Sequence, residues 1–246
     1  MKRRRRISLS TVSALLVLLG STLAGAGGSA QADERGPAAV APTVVPGAPA
    51  DHGPGAKPKS PLVGDPKNPR ACLGIAFTDP AFFCGDPRLG PRFLPKKGVL
   101  GAILADYRRL GGQTANGFIA TWWNPNTGGF IFPPNDGYRS GVTPFSVSLT
   151  FTVGQRIDRF GGEGGRFLAP AGTPYFQRSL TPQSLNTIES DYPFNYHVYK
   201  VLKPFTVQAG FIEPWFGQPG NGVQYVLPPG DSVGAHVVNG DLARLN

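Results

Sequence analysis

The stretch Asp158 to Arg178, DRFGGEGGRFLAPAGTPYFQR, packs three arginines (Arg159, Arg166 and Arg178), five glycines and four aromatic rings into one short segment. Each glycine loses more backbone entropy on ordering than any other residue, so this composition predicts a loop that closes on a ligand. Arginine offers a planar fork to phosphate oxygens, aromatic faces stack on a heterocycle, and glycine lets the backbone approach closely; a nucleotide suits that set. The glycines Gly161, Gly162, Gly164 and Gly165 do not open a long amphipathic helix, because Pro170 and Pro174 arrive first. That excludes a dinucleotide-binding Rossmann unit.

Outward from this segment the pattern is one of short strands. Val147, Leu149, Phe151 and Val153 alternate with Ser148, Thr150 and Thr152, which predicts a half-buried strand leading into the arginine segment. Further strands are expected at 196–202, 205–211 and 222–227, separated by Pro and Gly signals, with a short helix from Ser232 to Asn239 stopped by Gly240. Upstream, Leu100, Ile103, Leu104 and Tyr107 recur at helical spacing, and Gly111-Gly112 can end that helix. The segment TWWNPNTGGFIFPPNDGYRSG is rich in turn residues, and its Trp122 and Trp123 suit either core packing or a ring-binding surface. The expectation is an α+β domain, a small mixed and mostly antiparallel sheet with a few short helices, without the βαβ rhythm of a doubly wound fold.

The chain begins with Lys2 and Arg3 to Arg6, continues through an apolar run around Leu15 to Leu19, and reaches Ala30-Gln31-Ala32. This predicts a secretory signal peptide over 1–32 with an A-x-A cleavage site, the arginine run being compatible with general or twin-arginine export. Residues 33–70 are Pro-, Ala- and Gly-rich without aromatic side chains and predict a disordered linker that contains the solvated His52. A disulfide-bearing N-terminal subdomain over 71–145 is expected to pack on a core over 146–246. Five of the 24 Lys and Arg lie before residue 33 and no acid does, so the mature chain carries 19 basic against 15 acidic residues, a balance of +4. That suits an anionic small molecule and argues against nucleic acid as a partner, for which a clustered basic face is expected. With the signal removed, no membrane span is expected.

Cys72 and Cys84, in an oxidising compartment, predict a disulfide around Phe77, Phe82 and Phe83 that adds about 2 kcal/mol by restricting the unfolded chain. Two thiols with no nearby histidine cannot complete a zinc shell, so no metal site is expected. There is no G-x-S-x-G, Walker loop or metal-ligand histidine pair. His197, in YPFNYHVYK, sits in a strand-like run, either as a core histidine or as part of a site.

The series DRFG with Glu163 and Phe167, then FLAPAGTPYFQRSL, NYHVYKVLKPF and PWFGQPGNGVQY, resembles the tuberculosis necrotizing toxin family of NAD glycohydrolases. The segments CGDPRLGP and YPFNYHVY are most similar to that family's fungal surface branch. The resemblance implies a secreted enzyme that hydrolyses NAD, and NADP with it, to nicotinamide and the ADP-ribosyl product. It carries functional arginines onto Arg159 and Arg178, aromatic substrate contacts onto Phe160 and Phe167, and a catalytic glutamine onto Gln224. His197 falls where the bacterial branch has a functional histidine. The resemblance also allows a homodimer and, for a toxin, an immunity protein. The fungal branch's calcium-binding acidic tail has no counterpart after Leu242, so no calcium and no cofactor are expected.

The chemistry of the residues agrees. A glycosidase normally needs one carboxylic acid to protonate its leaving group. Nicotinamide leaves NAD from a cationic pyridinium and departs neutral, so arginines, rings and an amide suffice to hold the pyrophosphate, favour the oxocarbenium-like transition state and aim a water. Glu163 could stabilise the developing positive charge or serve as a solvated turn residue. Transfer of ADP-ribose to a protein acceptor, or a silent nucleotide-binding module, would use the same pocket.

Overall fold

The computed structural model describes residues 70–246; the expected signal peptide and linker lie outside the described residues. Seven strands form one antiparallel sheet: β3 (Val147–Thr150), β4 (Arg156–Phe160), β5 (Phe167–Pro170), β6 (Tyr196–Val201), β7 (Thr206–Phe211), β8 (Val223–Val226) and β9 (Leu242–Arg244), in spatial order β3-β7-β8-β5-β4-β6-β9. A small ribbon of β1 (Trp123–Asn124) and β2 (Gly129–Phe130) stands apart, and the α-helices are α1 (Gly98–Ile103), α2 (Ala115–Trp122) and α3 (Val233–Val238). The α+β expectation therefore holds.

The local sequence explains most of these elements. In β7, Val207 and Ala209 are buried while Thr206 and Gln208 are exposed, the period-2 alternation of a half-solvated strand. β8 lies between β7 and β5, and its Gln224, Tyr225 and Val226 are all buried because both faces are covered. α3 starts where the Ser232 hydroxyl accepts from the Ala235 amide, and it stops before Gly240, whose φ of +69° suits a residue without a side chain. β3 occupies the sheet edge, which leaves Val147 55% exposed despite its place in the alternation, and the strand ends before the fully buried Phe151.

Two differences from the sequence expectation have physical causes. α1 ends at Ile103, capped by Leu104, instead of running to Gly111: the chain leaves the helix to set Tyr107 edge-on against Tyr175, ring centroids 4.6 Å apart, and to bury Leu110 in a separate cluster. Tertiary contacts decide so short a helix, because isolated turns are barely stable. The stretch before Trp123 is also helical, since Thr114 accepts from the Gly117 amide at 3.1 Å and the turn buries Ala115 and Phe118.

Three apolar clusters hold the domain. One face of the sheet packs Phe151, Ile157, Leu168, Tyr199, Val207, Tyr225 and Leu227 against α3. The other face packs Phe160 and Tyr196 with Tyr175, Leu185, Ile103 and Leu104. A third cluster surrounds the Cys72–Cys84 disulfide, which the structure contains, with Leu89, Phe118, Phe130 and Phe216. Trp122 and Trp123 pack against this last cluster, Trp122 lying 5.3 Å from Trp215, so core cover is their observed role.

Candidate active site

The register of the sheet sorts the expected site residues. Asp158 lies opposite Ala169, Phe160 opposite Tyr196, Phe167 opposite Val226, and Gln224 opposite Gly210. Because side chains alternate, Phe160, Phe167 and Gln224 project from one face on three adjacent strands, β4, β5 and β8. Arg159 lies opposite His197 and belongs with it to the other face. Phe160, Phe167 and Gln224 thus share a face that Arg159 and His197 do not.

On the first face, Gln224 is nearly buried, and its Nε2 donates to the Asp136 carbonyl at 2.6 Å. Gly210 is the residue that leaves room beside it: a Cβ there would stand 2.6 Å from the Tyr138 ring. The Tyr138 hydroxyl donates to the Gln208 carbonyl at 2.9 Å, which lays the ring across β7. Its phenol pKa is raised, by burial first and by the Asp136 charge second. Beside Tyr138 and Asp136 opens a cleft of about 270 Å³, also lined by Arg166, Gln208, Leu227 and Pro228 among others. Arg166 pairs with Asp136, donates through Nη1 to the Leu227 carbonyl at 2.9 Å, and holds its guanidinium carbon 5.3 Å from the Phe167 ring centre. Phe167 is half-buried beside it.

Arg178 stands elsewhere. It forms a buried ion pair with Asp158 at 2.7 Å and donates through Nε and Nη2 to the Thr173 carbonyl at 2.9 and 2.8 Å. Asp158 is fully buried and also accepts from the Tyr196 hydroxyl and the Gly172 amide. The guanidinium lies 5.1 Å from the ring centre of Phe160, itself buried between Tyr175 and Tyr196. In this structure Arg178 ties the segment after β5 to the middle of β4, and Phe160 packs against Tyr175 and Tyr196.

Arg159 is likewise 5% exposed, and it donates to the carbonyls of Gly162 and Phe167, both at 2.8 Å. It fastens the glycine turn onto β5, so it is not presented as an open phosphate contact. Gly161 (φ +127°) and Gly165 flank the guanidinium so closely that a Cβ on either would collide with it. Two of the five glycines of the opening segment, Gly161 and Gly165, are thus required to wrap an arginine, while a Cβ on Gly162, Gly164 or Gly172 would meet nothing.

Glu163 accepts from Arg244 and from the Tyr199 hydroxyl, and the Arg244 hydrogen bond leads the causes that hold its carboxyl below the ordinary range. The solvated-turn alternative is thereby replaced by an ion pair that joins the glycine turn to β9. His197 is 1% exposed, with its ring centroid 4.0 Å from that of Tyr192, and neither ring nitrogen finds a hydrogen-bond partner among the described residues. Burial is the main cause that pushes its pKa down to about 4, so the imidazole is neutral at physiological pH.

Arg166 is one of the three arginines of the opening segment but lies outside the set that the resemblance carries over, and Asp136 belongs to no motif in the sequence. The signal that could have found Asp136 is the turn Pro133-Pro134-Asn135-Asp136-Gly137, which puts Asn135 and Asp136 at φ of 55° and 54° and aims the aspartate back at the sheet. Among the described residues there is no group of three or more His, Cys, Asp or Glu placed to hold a metal ion, and no helix long and apolar enough to cross a membrane.

Comparisons with known proteins bear on the same residues. A family model described as "Tuberculosis necrotizing toxin" matches residues 150–245, which span β4 to β9. The conidial surface nicotinamide adenine dinucleotide glycohydrolase of Aspergillus fumigatus is 47% identical over 163 residues, covering 64% of this chain and 69% of that protein. A solved structure of tuberculosis necrotizing toxin complexed with its immunity factor aligns with a TM-score of 0.42 at 23% identity, over 54% of this chain and 72% of that one. The extent of the match to the fungal protein, together with the family model over the residues that include Arg159, Arg178 and Gln224, places this chain in the tuberculosis necrotizing toxin family.

Proposed function

We propose that this chain is a secreted NAD glycohydrolase that splits the bond between nicotinamide and ribose and releases nicotinamide and ADP-ribose. The observation that carries this reading is the 47% identity, across 69% of its length, to a fungal surface enzyme named for that activity. The site chemistry is compatible with it. When the C1′–N bond breaks, its electron pair moves to the pyridinium nitrogen, so nicotinamide departs neutral and needs no acid. Water then bonds to C1′ and its proton is lost to solvent. The residues must bind, orient and stabilise positive charge on the ribose, which suits the cleft lined by Asp136 and Arg166 and the adjoining Gln224 and Phe167 that contact them.

In this reading NAD is the substrate, NADP is a second substrate of the same chemistry, and no cofactor takes part. Gln224 orients the ribose or the attacking water from β8. Phe167 lines the nicotinamide subsite. Arg159 and Arg178 contribute by holding the glycine turn and the segment after β5 that frame it. The test is to incubate the purified protein with NAD, with and without added acceptor proteins, and to follow free nicotinamide and ADP-ribose. Equal release of both without an acceptor is expected. Nicotinamide release that needs a protein acceptor would instead indicate ADP-ribosyl transfer, and absence of release would leave only a binding role.

A further inference from the structure

The cleft holds a pair of opposite charges that none of the expected site residues explains. We propose that the Asp136–Arg166 pair recognises the two charged parts of the dinucleotide: Asp136 faces the nicotinamide ribose, where positive charge resides and develops, and Arg166 faces the pyrophosphate. This inference rests on the NAD glycohydrolase reading above.

Three observations carry it. Both groups line the same cleft, while Arg159 and Arg178 are buried and bonded to main-chain carbonyls. Of the acids near the glycine turn, Glu163 is committed to Arg244 and Tyr199, and Asp158 to Arg178, Tyr196 and Gly172. Asp136 has Arg166 as its ion-pair partner, and its side chain is 33% exposed. Finally, the Asp136 main chain is held by Gln224, and the Arg166 guanidinium is braced by Leu227 and Phe167. Both charges are therefore held in place by Leu227 of the cleft wall and by the adjoining Gln224 and Phe167.

Electrostatics explains why a pair suits this substrate. Separating two partly buried charges is costly when one is left unmatched. NAD brings a cationic pyridinium and an anionic diphosphate linked through one ribose, so it can replace each partner of the pair with a charge of the same sign. In the reaction Asp136 forms no covalent bond. It stabilises the ribosyl cation while the C1′–N electron pair leaves with nicotinamide and water oxygen bonds to C1′.

Steady-state kinetics on the full-length protein separate this from a structural ion pair. Arg166→Ala is expected to raise KM for NAD by about tenfold or more, with kcat changed by less than about threefold, and to lose competitive inhibition by inorganic pyrophosphate. Asp136→Asn is expected to lower kcat on the order of 100-fold while leaving KM and pyrophosphate inhibition close to the parent's. Folded variants that share one modest loss of thermal stability, without this split and with pyrophosphate inhibition intact in both, would overturn the inference. Should either variant not fold, Arg166→Lys keeps the charge but loses the fork, and is expected to weaken pyrophosphate binding severalfold with kcat retained. Parental pyrophosphate affinity in that variant overturns the assignment equally. A parent protein that releases no nicotinamide would refute the proposed function instead, while calorimetric titration with pyrophosphate still reports on Arg166 without turnover.

Discussion

Arg178 and Asp158 show how a residue's surroundings decide its role. Their side chains are 4% and 0% exposed and meet at 2.7 Å, so removing one leaves the other charge buried without its counter-ion. Arg178→Ala should therefore lower unfolding free energy by about 3–5 kcal/mol, read from urea denaturation. A variant with parental stability would show that the pair is not what holds the segment after β5. His197 gives a prediction in pH. An exposed imidazole protonates near pH ~6.5, whereas the buried ring does so only near 4. Between these values the unfolded chain binds a proton that the folded chain does not, so stability is full above the upper value and falls as pH drops toward the lower one. The charged groups around it are Glu163, Arg159 and Arg244. His197→Phe should abolish this slope at little cost at neutral pH, since neither ring nitrogen is hydrogen-bonded among the described residues. An unchanged slope between pH ~6.5 and ~4 in the folded variant would contradict the account.

At the scale of the element, the turn between β4 and β5 is a small machine for burying Arg159. Gly165→Ala would drive a methyl into that guanidinium, which cannot move aside without breaking its bonds to Gly162 and Phe167. The expected loss is about 1–3 kcal/mol, with the larger part of any activity loss in kcat as Phe167 shifts. Thermal unfolding with parallel kinetics checks it, and an unperturbed midpoint would mean the turn has room to yield. Strands with regular alternation or near-continuous apolar runs, β6, β7 and β8, were legible in the sequence, as was α3 with its Ser232 cap and Gly240 stop. β4 and β5 were hidden because the glycines between them resemble a ligand loop, and only the three-dimensional wrap around Arg159 explains why Gly161 and Gly165 must be glycine. Gln224 could be reached through family resemblance, whereas Asp136 depends on a turn some 90 residues away that packs against β8.

Across the whole molecule, the disulfide-side cluster and the sheet cooperate. Trp215 and Phe216, which follow β7, pack against residues near the Cys72–Cys84 bridge, and the Gln218 amide donates to the Arg108 carbonyl at 2.7 Å. Reducing the bridge, or Cys72→Ser with Cys84→Ser, should lower stability by about 2 kcal/mol or more through the freed unfolded chain. Its effect on KM should be small, because neither cysteine nor any residue of the cluster around the bridge lines the cleft. Equal denaturation midpoints for oxidised and reduced protein would contradict this. The central claim, that NAD is hydrolysed on the face of the sheet that carries Gln224, is tested most directly by nicotinamide release from Gln224→Ala beside the parent, with folding verified by circular dichroism. The account predicts a folded variant whose kcat falls on the order of 100-fold while NAD still binds; a folded variant that releases nicotinamide at the parental rate would contradict it.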